Sequence, residues 1–134
     1  MKTHVCIECD VILNKDNWTK SCKKYLCRSC NNKRQKKYKE NVKRSTIIEY
    51  GGKCVCCNEK HIEFLTIDHI DGAGSKHRNE LLKIKGWKRK DDSFGGTDFY
   101  LWLKNNEYPK DNYQVLCFNC NAAKHIYGIC PHNA

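Results

Sequence analysis

The chain has 134 residues, 25 Lys and Arg against 15 Asp and Glu, a net charge of +10, and 11 cysteines. That length allows one ordinary domain, or two small ones if something other than a large apolar core holds them together. The odd cysteine count, the lack of an apolar signal stretch after Met1 and the repeated Cys-x-x-Cys spacing favour thiolates on zinc over disulfides, and no apolar run approaches membrane-spanning length, so a soluble cytoplasmic protein with no membrane partner is expected.

Residues 1–44 carry 13 Lys and Arg against 4 Asp and Glu, whereas residues 45–134 carry 12 against 11. Nearly all the excess positive charge therefore lies in the first third, as in a polyanion-docking arm joined to a more neutral module. The first unit, residues 1–30, contains "CIEC" and "CRSC", that is Cys6, Cys9, Cys27 and Cys30. Their spacing is that of two knuckles converging on one tetrahedral Zn²⁺, with Cys22 left over. With little else to build a core, Trp18 and Tyr25 are expected to pack on the metal site and zinc to supply most of the folding energy.

Residues 31–50, "NNKRQKKYKENVKRSTIIEY", lack Gly and Pro and predict a linker helix that ends at Gly51-Gly52. Lys33, Arg34, Lys36, Lys37, Lys39, Lys43 and Arg44 nearly encircle it, leaving Tyr38 and Val42 as a thin apolar stripe. Such a helix needs a polyanion or water around it.

The third unit, residues 51–134, places Cys54 and Cys57 before, and Cys117 and Cys120 after, a predicted strand in "EFLTIDHI", a helix from near Ser75, a basic loop "GWKRKDDSFGG" and a short helix "TDFYLWLKNN" ended by Pro109. "NYQVL" reads as a second strand, and "NCNAAKH" opens the last helix. At the end of the first strand Asp68 and His69 are adjacent, with no packing rationale in an otherwise apolar run. Consecutive strand residues face opposite ways, so the pair can serve one site only if the strand bends, which Gly72 and Gly74 permit. A carboxylate is a good Mg²⁺ ligand and an imidazole a good general base. Asn121, Lys124 and His125 fall on one face of the last helix.

Taken in order, "GGKCVCC", "LTIDHIDG", "DNYQVLCFNCNAAK" and "GICPH" resemble the HNH nuclease family, in a form similar to phage-encoded members, over residues 50–132. The resemblance implies a small, zinc-stabilised α+β fold, a ββα-metal core preceded here by the four-cysteine zinc module and the basic helix. It implies His69 as general base, Asp68 as first ligand of a catalytic Mg²⁺ (Mn²⁺ being the alternative), and Asn112 steadying the histidine's loop. Asn121 would be a second ligand, where many members have histidine, and Cys54, Cys57, Cys117 and Cys120 would hold the second structural zinc. His77 and Arg78 resemble positions that contact the scissile phosphate. With Lys124, Lys33, Arg34, Lys36, Lys37, Lys43 and Arg44, they form the expected DNA interface. The expected activity is hydrolysis of DNA phosphodiester bonds, nicking as a monomer or cutting both strands as a homodimer, in the host cytoplasm if the chain is phage-encoded.

Two other readings compete. A non-catalytic zinc-ribbon protein that binds nucleic acid explains everything before residue 50 equally well but not Asp68, His69 and Asn121 together. "HIE" (His61, Glu63) followed by "CFNC" mimics a zinc deaminase, yet Leu116 replaces the expected proline and Cys54 and Cys57 are stranded. Cys22, Cys56, Cys130 and His132 remain without an assigned role; a third metal site built from Cys130, His132 and Cys22 or Cys56 stays open.

Overall fold

The basic stretch without Gly or Pro forms α1, Arg28–Glu49, in the computed structural model of the chain, which describes residues 2–85 and 96–133. The helix begins earlier than its composition suggests because the second Cys-x-x-Cys already turns helical: Asn31 N–H donates to Cys27 O at 2.9 Å. The basic loop expected across 86–95 lies outside the described residues. Two compact units divide the chain at residues 1–41 and 42–134, so the boundary falls inside α1 and not at either end of it.

In the first unit, Cys6 to Cys9 form a knuckle closed by Asp10 N–H donating to Cys6 O at 2.9 Å, with Asp10 left-handed at φ 58°. Asp tolerates that conformation better than most residues. The small core is Leu26, fully buried, with Cys6, Cys27 and Cys30 around it and Leu13 packed alongside. Trp18 and Tyr25, expected on the metal site, do not join this cluster. Tyr25 sits at φ 59° with its ring 4.8 Å from that of His4, and Trp18 Nε1 donates to Lys23 O at 3.4 Å. Leu26, the next residue along, takes the inward place, an apolar body being the cheaper one to bury beside thiols.

The second unit is built on a two-stranded antiparallel sheet of β1, Leu65–His69, and β2, Tyr113–Cys117, in which Asp68 faces Gln114 and His69 faces Tyr113. Between the strands run α2, Gly74–Lys85, and α3, Gly96–Asn105; α4, Phe118–Tyr127, follows β2 and packs across the sheet. The core joins Ile47 to Leu65, Ile67, Leu81, Phe99, Leu103 and Val115. The protein is thus a small α+β fold with four helices and one two-stranded sheet among the described residues. No described helix is long and apolar enough to cross a membrane.

Candidate metal centres and the cleft at the end of β1

The same cysteine cradle is built twice. Each starts as a knuckle, Cys6–Cys9 or Cys54–Cys57, whose next residue donates its N–H back to the first cysteine's carbonyl: Asp10 to Cys6 at 2.9 Å, Asn58 to Cys54 at 3.0 Å. Each is completed by a Cys-x-x-Cys at the opening of a helix, where the second cysteine's N–H donates to the first one's Sγ at 3.4 Å, Cys30 to Cys27 and Cys120 to Cys117. Thiolates are favoured at a helix N-terminus by its unpaired N–H groups and its dipole.

Across each cradle the sulfurs of the two halves stand 3.7 Å apart, Cys9 to Cys27 and Cys57 to Cys117. That is far longer than a disulfide and close to the edge, about 3.8 Å, of a tetrahedron with Zn–S bonds of about 2.3 Å. Neither cradle contains a disulfide, and the four sulfurs of each lie within 4.8 Å of one another. The backbone N–H of Cys27 holds the Cys6 thiol down at about 6. Cys54 is pushed up by burial but brought down to about 7 by the N–H groups of Cys117, Cys57 and Cys56. Cys30, facing Cys27, is instead pushed up to about 12. Four thiolates so close ionise together only around a cation, and both sets, Cys6/Cys9/Cys27/Cys30 and Cys54/Cys57/Cys117/Cys120, can hold structural zinc.

At the far end of β1, Asp68 and His69 are both buried, 5% exposed each, and they border one cleft of about 120 Å³ with Asn121 and Arg78. That volume takes several waters or a phosphate group. The expected bend is not what unites them. Asp68 and His69 are regular ladder residues, and the strand simply ends at His69, where Gly72 turns the chain at φ 74° so that both faces of the last pair open on the cleft.

On the Asp68 side, Gln114 Nε2 donates to Oδ2 at 2.9 Å from the opposite strand, and Lys124 Nζ donates to the same oxygen at 2.6 Å. Lys124 also donates to the carbonyls of His69 at 2.8 Å and Ile70 at 3.1 Å. Expected against DNA, Lys124 instead turns inward, where it neutralises a buried carboxylate and ties α4 to the end of β1. Hydrogen bonds of this kind are the condition for burying such a charge. Neither Gln114 nor this use of Lys124 was foreseeable without the strand register.

On the other side, the His69 ring stacks on Phe99, with centroids 5.1 Å apart, and its Nε2 lies 3.0 Å from Nδ1 of His77. Burial, then the charges of His77 and Arg78, hold the His69 imidazole below its ordinary pKa, which favours the neutral form. Nδ1 faces Gly74, so closely that a β-carbon there would stand 3.0 Å away. Asn112 closes the following loop: its carbonyl accepts from Ile70 N–H at 3.0 Å and its Oδ1 from Asp71 N–H at 3.4 Å.

Asn121 enters the same cleft from the first turn of α4, and its Oδ1 is buried without a hydrogen-bond partner among the described residues. A buried acceptor left unpaired costs about 1–3 kcal/mol, which a hydrogen-bond donor or a cation at that oxygen would relieve. His125, one turn on, lines the cleft as well. It shares a face with Asn121 in the sequence, yet nothing there singled it out as a site residue.

Of the expected basic surface, Lys33, Lys36, Lys37 and Arg44 are exposed. Arg34 pairs with Glu8, and Lys43 donates to Glu63 O at 3.3 Å over the Phe118 ring. Arg34 is exposed all the same, and Lys43 is half-buried. Arg78 is exposed at the cleft's rim, whereas His77 is a half-buried neighbour of His69. No protein-family model, curated protein or solved structure matches the chain.

Proposed function

We propose that the protein is a divalent-metal-dependent DNA endonuclease, with its active site in the cleft shared by β1 and α4. The observation that carries the reading is the meeting of a buried carboxylate, a buried neutral imidazole and an orphaned amide oxygen in one small cleft. The donor set is oxygen-rich, as Mg²⁺ or Mn²⁺ requires, and the unpaired Asn121 Oδ1 fits a cation ligand. Asp68, whose Oδ2 is held by Gln114 and Lys124, and Asn121 would hold the ion, which would supply positive charge to the departing 3′ oxygen.

The remaining work belongs to the chain's own groups. His69 takes a proton from the attacking water through Nδ1 when its Nε2–H donates to Nδ1 of a neutral His77, 3.0 Å away. Water's oxygen bonds to phosphorus, the bond from phosphorus to the 3′ oxygen breaks, the departing oxygen takes a proton from solvent water, and the ends are a 5′-phosphate and a 3′-hydroxyl. Arg78 and His125 stand at the cleft where a phosphate would sit, and Asn112 holds the loop after His69 in register. The exposed lysines and Arg44 of α1 attract the DNA backbone by releasing counterions.

The rival reading, nucleic-acid binding without cleavage, draws on the same basic helix. It gives no account of why a cleft should keep His69 buried and Asn121 Oδ1 unpaired. Supercoiled plasmid incubated with wild-type and His69→Ala protein, each with and without added Mg²⁺ or Mn²⁺, separates the two. Metal-dependent conversion to nicked or linear DNA by the wild type alone supports the nuclease. Binding without conversion under every divalent ion, or equal cleavage by both proteins, overturns it.

A further inference from the structure

Two cysteines of the second unit belong to neither cradle, and they meet at its edge. Cys56 and Cys130 stand with His132 against Cys120: His132 Nδ1 lies 3.4 Å from Cys120 Sγ, 3.6 Å from Cys130 Sγ and 3.8 Å from Cys56 Sγ. All four ligand atoms fall within 4.8 Å of one another. A tetrahedral zinc with Zn–S of about 2.3 Å and Zn–N of about 2.05 Å sets sulfur and nitrogen ligands about 3.6 Å apart, which these three edges bracket.

The way the chain end is held points the same way. After α4 the chain reverses at Gly128, φ 78°, and brings Cys130 back to the start of the helix. Apolar burial does not hold it there, since Ile126, Tyr127 and Ile129 are 73%, 69% and 63% exposed while Cys130 is buried. A segment that leaves its isoleucines in water and buries a cysteine among thiols is anchored through sulfur.

We propose that Cys56, Cys120, Cys130 and His132 bind a further zinc ion, and that the Cys120 thiolate bridges it to the zinc of the Cys54/Cys57/Cys117/Cys120 cradle. Cys120 is common to both sets, and a thiolate has lone pairs enough for two ions, so each zinc keeps four ligands. The knuckle loop serves both: Cys54 and Cys57 turn to one ion and Cys56, between them, to the other. Asn133 Nδ2 donates to Cys56 Sγ at 3.2 Å, which tempers the negative charge of a half-buried thiolate. Cys120 directly precedes Asn121, so the pair of ions fixes the first turn of α4 from two sides and staples the chain end across it.

Native mass spectrometry of the full chain, purified under reducing conditions with zinc, reads the number directly. Three zinc ions per chain are expected, one for each cluster, with one lost in Cys56→Ser and in His132→Ala and none lost in Cys22→Ser. Because a ligand variant can lose its fold, the second measurement uses the wild type. After ¹¹³Cd substitution, two of the cadmium resonances should be scalar-coupled through the shared Cys120 sulfur. Two ions in the wild type, with or without a Cys56–Cys130 disulfide, overturn the site, and uncoupled cadmium signals overturn the bridge. Neither readout involves DNA, so a failure here is distinct from a failure of the nuclease reading.

Discussion

His69 Nε2 lies 3.0 Å from His77 Nδ1, which commits one nitrogen of the buried imidazole to a neighbour from α2 and leaves Nδ1 as the nitrogen facing the glycine edge of the cleft. If His69 is the base, His77 is its positioning residue, accepting the Nε2 proton so that Nδ1 is bare. His77→Ala should lower kcat about tenfold to a hundredfold by loosening the ring, with KM for DNA little changed. His77→Gln, which still offers an acceptor, should recover part of that loss. His69→Ala should cost about a hundredfold or more in kcat. A His77→Ala effect confined to KM would instead place His77 on the phosphate.

Gly74 supplies a second handle on the same ring. A β-carbon added there would meet His69 Nδ1 at 3.0 Å, and the imidazole, stacked on Phe99, has little room to give. At the first turn of α2 an alanine would otherwise stabilise the helix by about 0.5–1 kcal/mol. The two effects separate in one variant. Gly74→Ala should keep its thermal midpoint within a few degrees while cleavage drops sharply; unchanged cleavage would show that Nδ1 is not the working nitrogen.

How much of this the sequence could carry follows from the range of each interaction. The cradles were legible because ligand spacing is local: a knuckle needs two cysteines separated by two residues, and the helix that follows needs only composition. The pairing of Asp68 with Gln114 and Lys124 was not, since it depends on a register joining residues some fifty positions apart. Trp18 and Tyr25 misled for a related reason. Size suggests them as core, but a left-handed residue at Tyr25 decides that Leu26 is the one turned inward. The third cluster was open in the sequence through Cys130, His132 and Cys56, but Cys120 as its fourth member needed the reversal at Gly128, which no spacing rule predicts.

Lys124 carries a stability prediction. Its ammonium is the charge partner of a carboxylate that is almost fully buried, and it also satisfies the two carbonyls at the end of β1. Removing one member of such a pair leaves the other buried and uncompensated, at a cost of about 3 kcal/mol. Lys124→Met, close in volume, should therefore shift the urea midpoint down by that equivalent while zinc content stays constant. A phosphate-facing lysine would give the opposite pattern, with stability unchanged and DNA affinity reduced.

The basic helix can be dissected by which charges are already engaged. Lys33, Lys36, Lys37 and Arg44 are exposed; Arg34, exposed as well, pairs with Glu8, and the half-buried Lys43 lies over the Phe118 ring. Replacing the four exposed, unpaired residues by alanine should reduce the slope of log affinity against log salt by up to about 3.6, about 0.9 for each phosphate that is no longer neutralised. Arg34→Ala with Lys43→Ala should change that slope by less than about 1. Fluorescence anisotropy on a duplex across a salt series measures both. Equal slopes for all the variants would remove α1 from the DNA interface.

Asn121 gives the sharpest test, because stability and activity should move in opposite directions. An amide oxygen buried without a partner costs about 1–3 kcal/mol, and alanine removes that oxygen without breaking any hydrogen bond it makes to the described residues. Without divalent ions, Asn121→Ala should thus be as stable as the wild type or more so. Added Mg²⁺ or Mn²⁺ should raise the thermal midpoint of the wild type and not of the variant, since only a folded state with the ligand in place gains from binding. Cleavage should be lost while the cysteine-bound zinc remains. Should the variant instead be destabilised, and still cut DNA at the wild-type rate, Oδ1 would have a structural partner and no part in holding a cation.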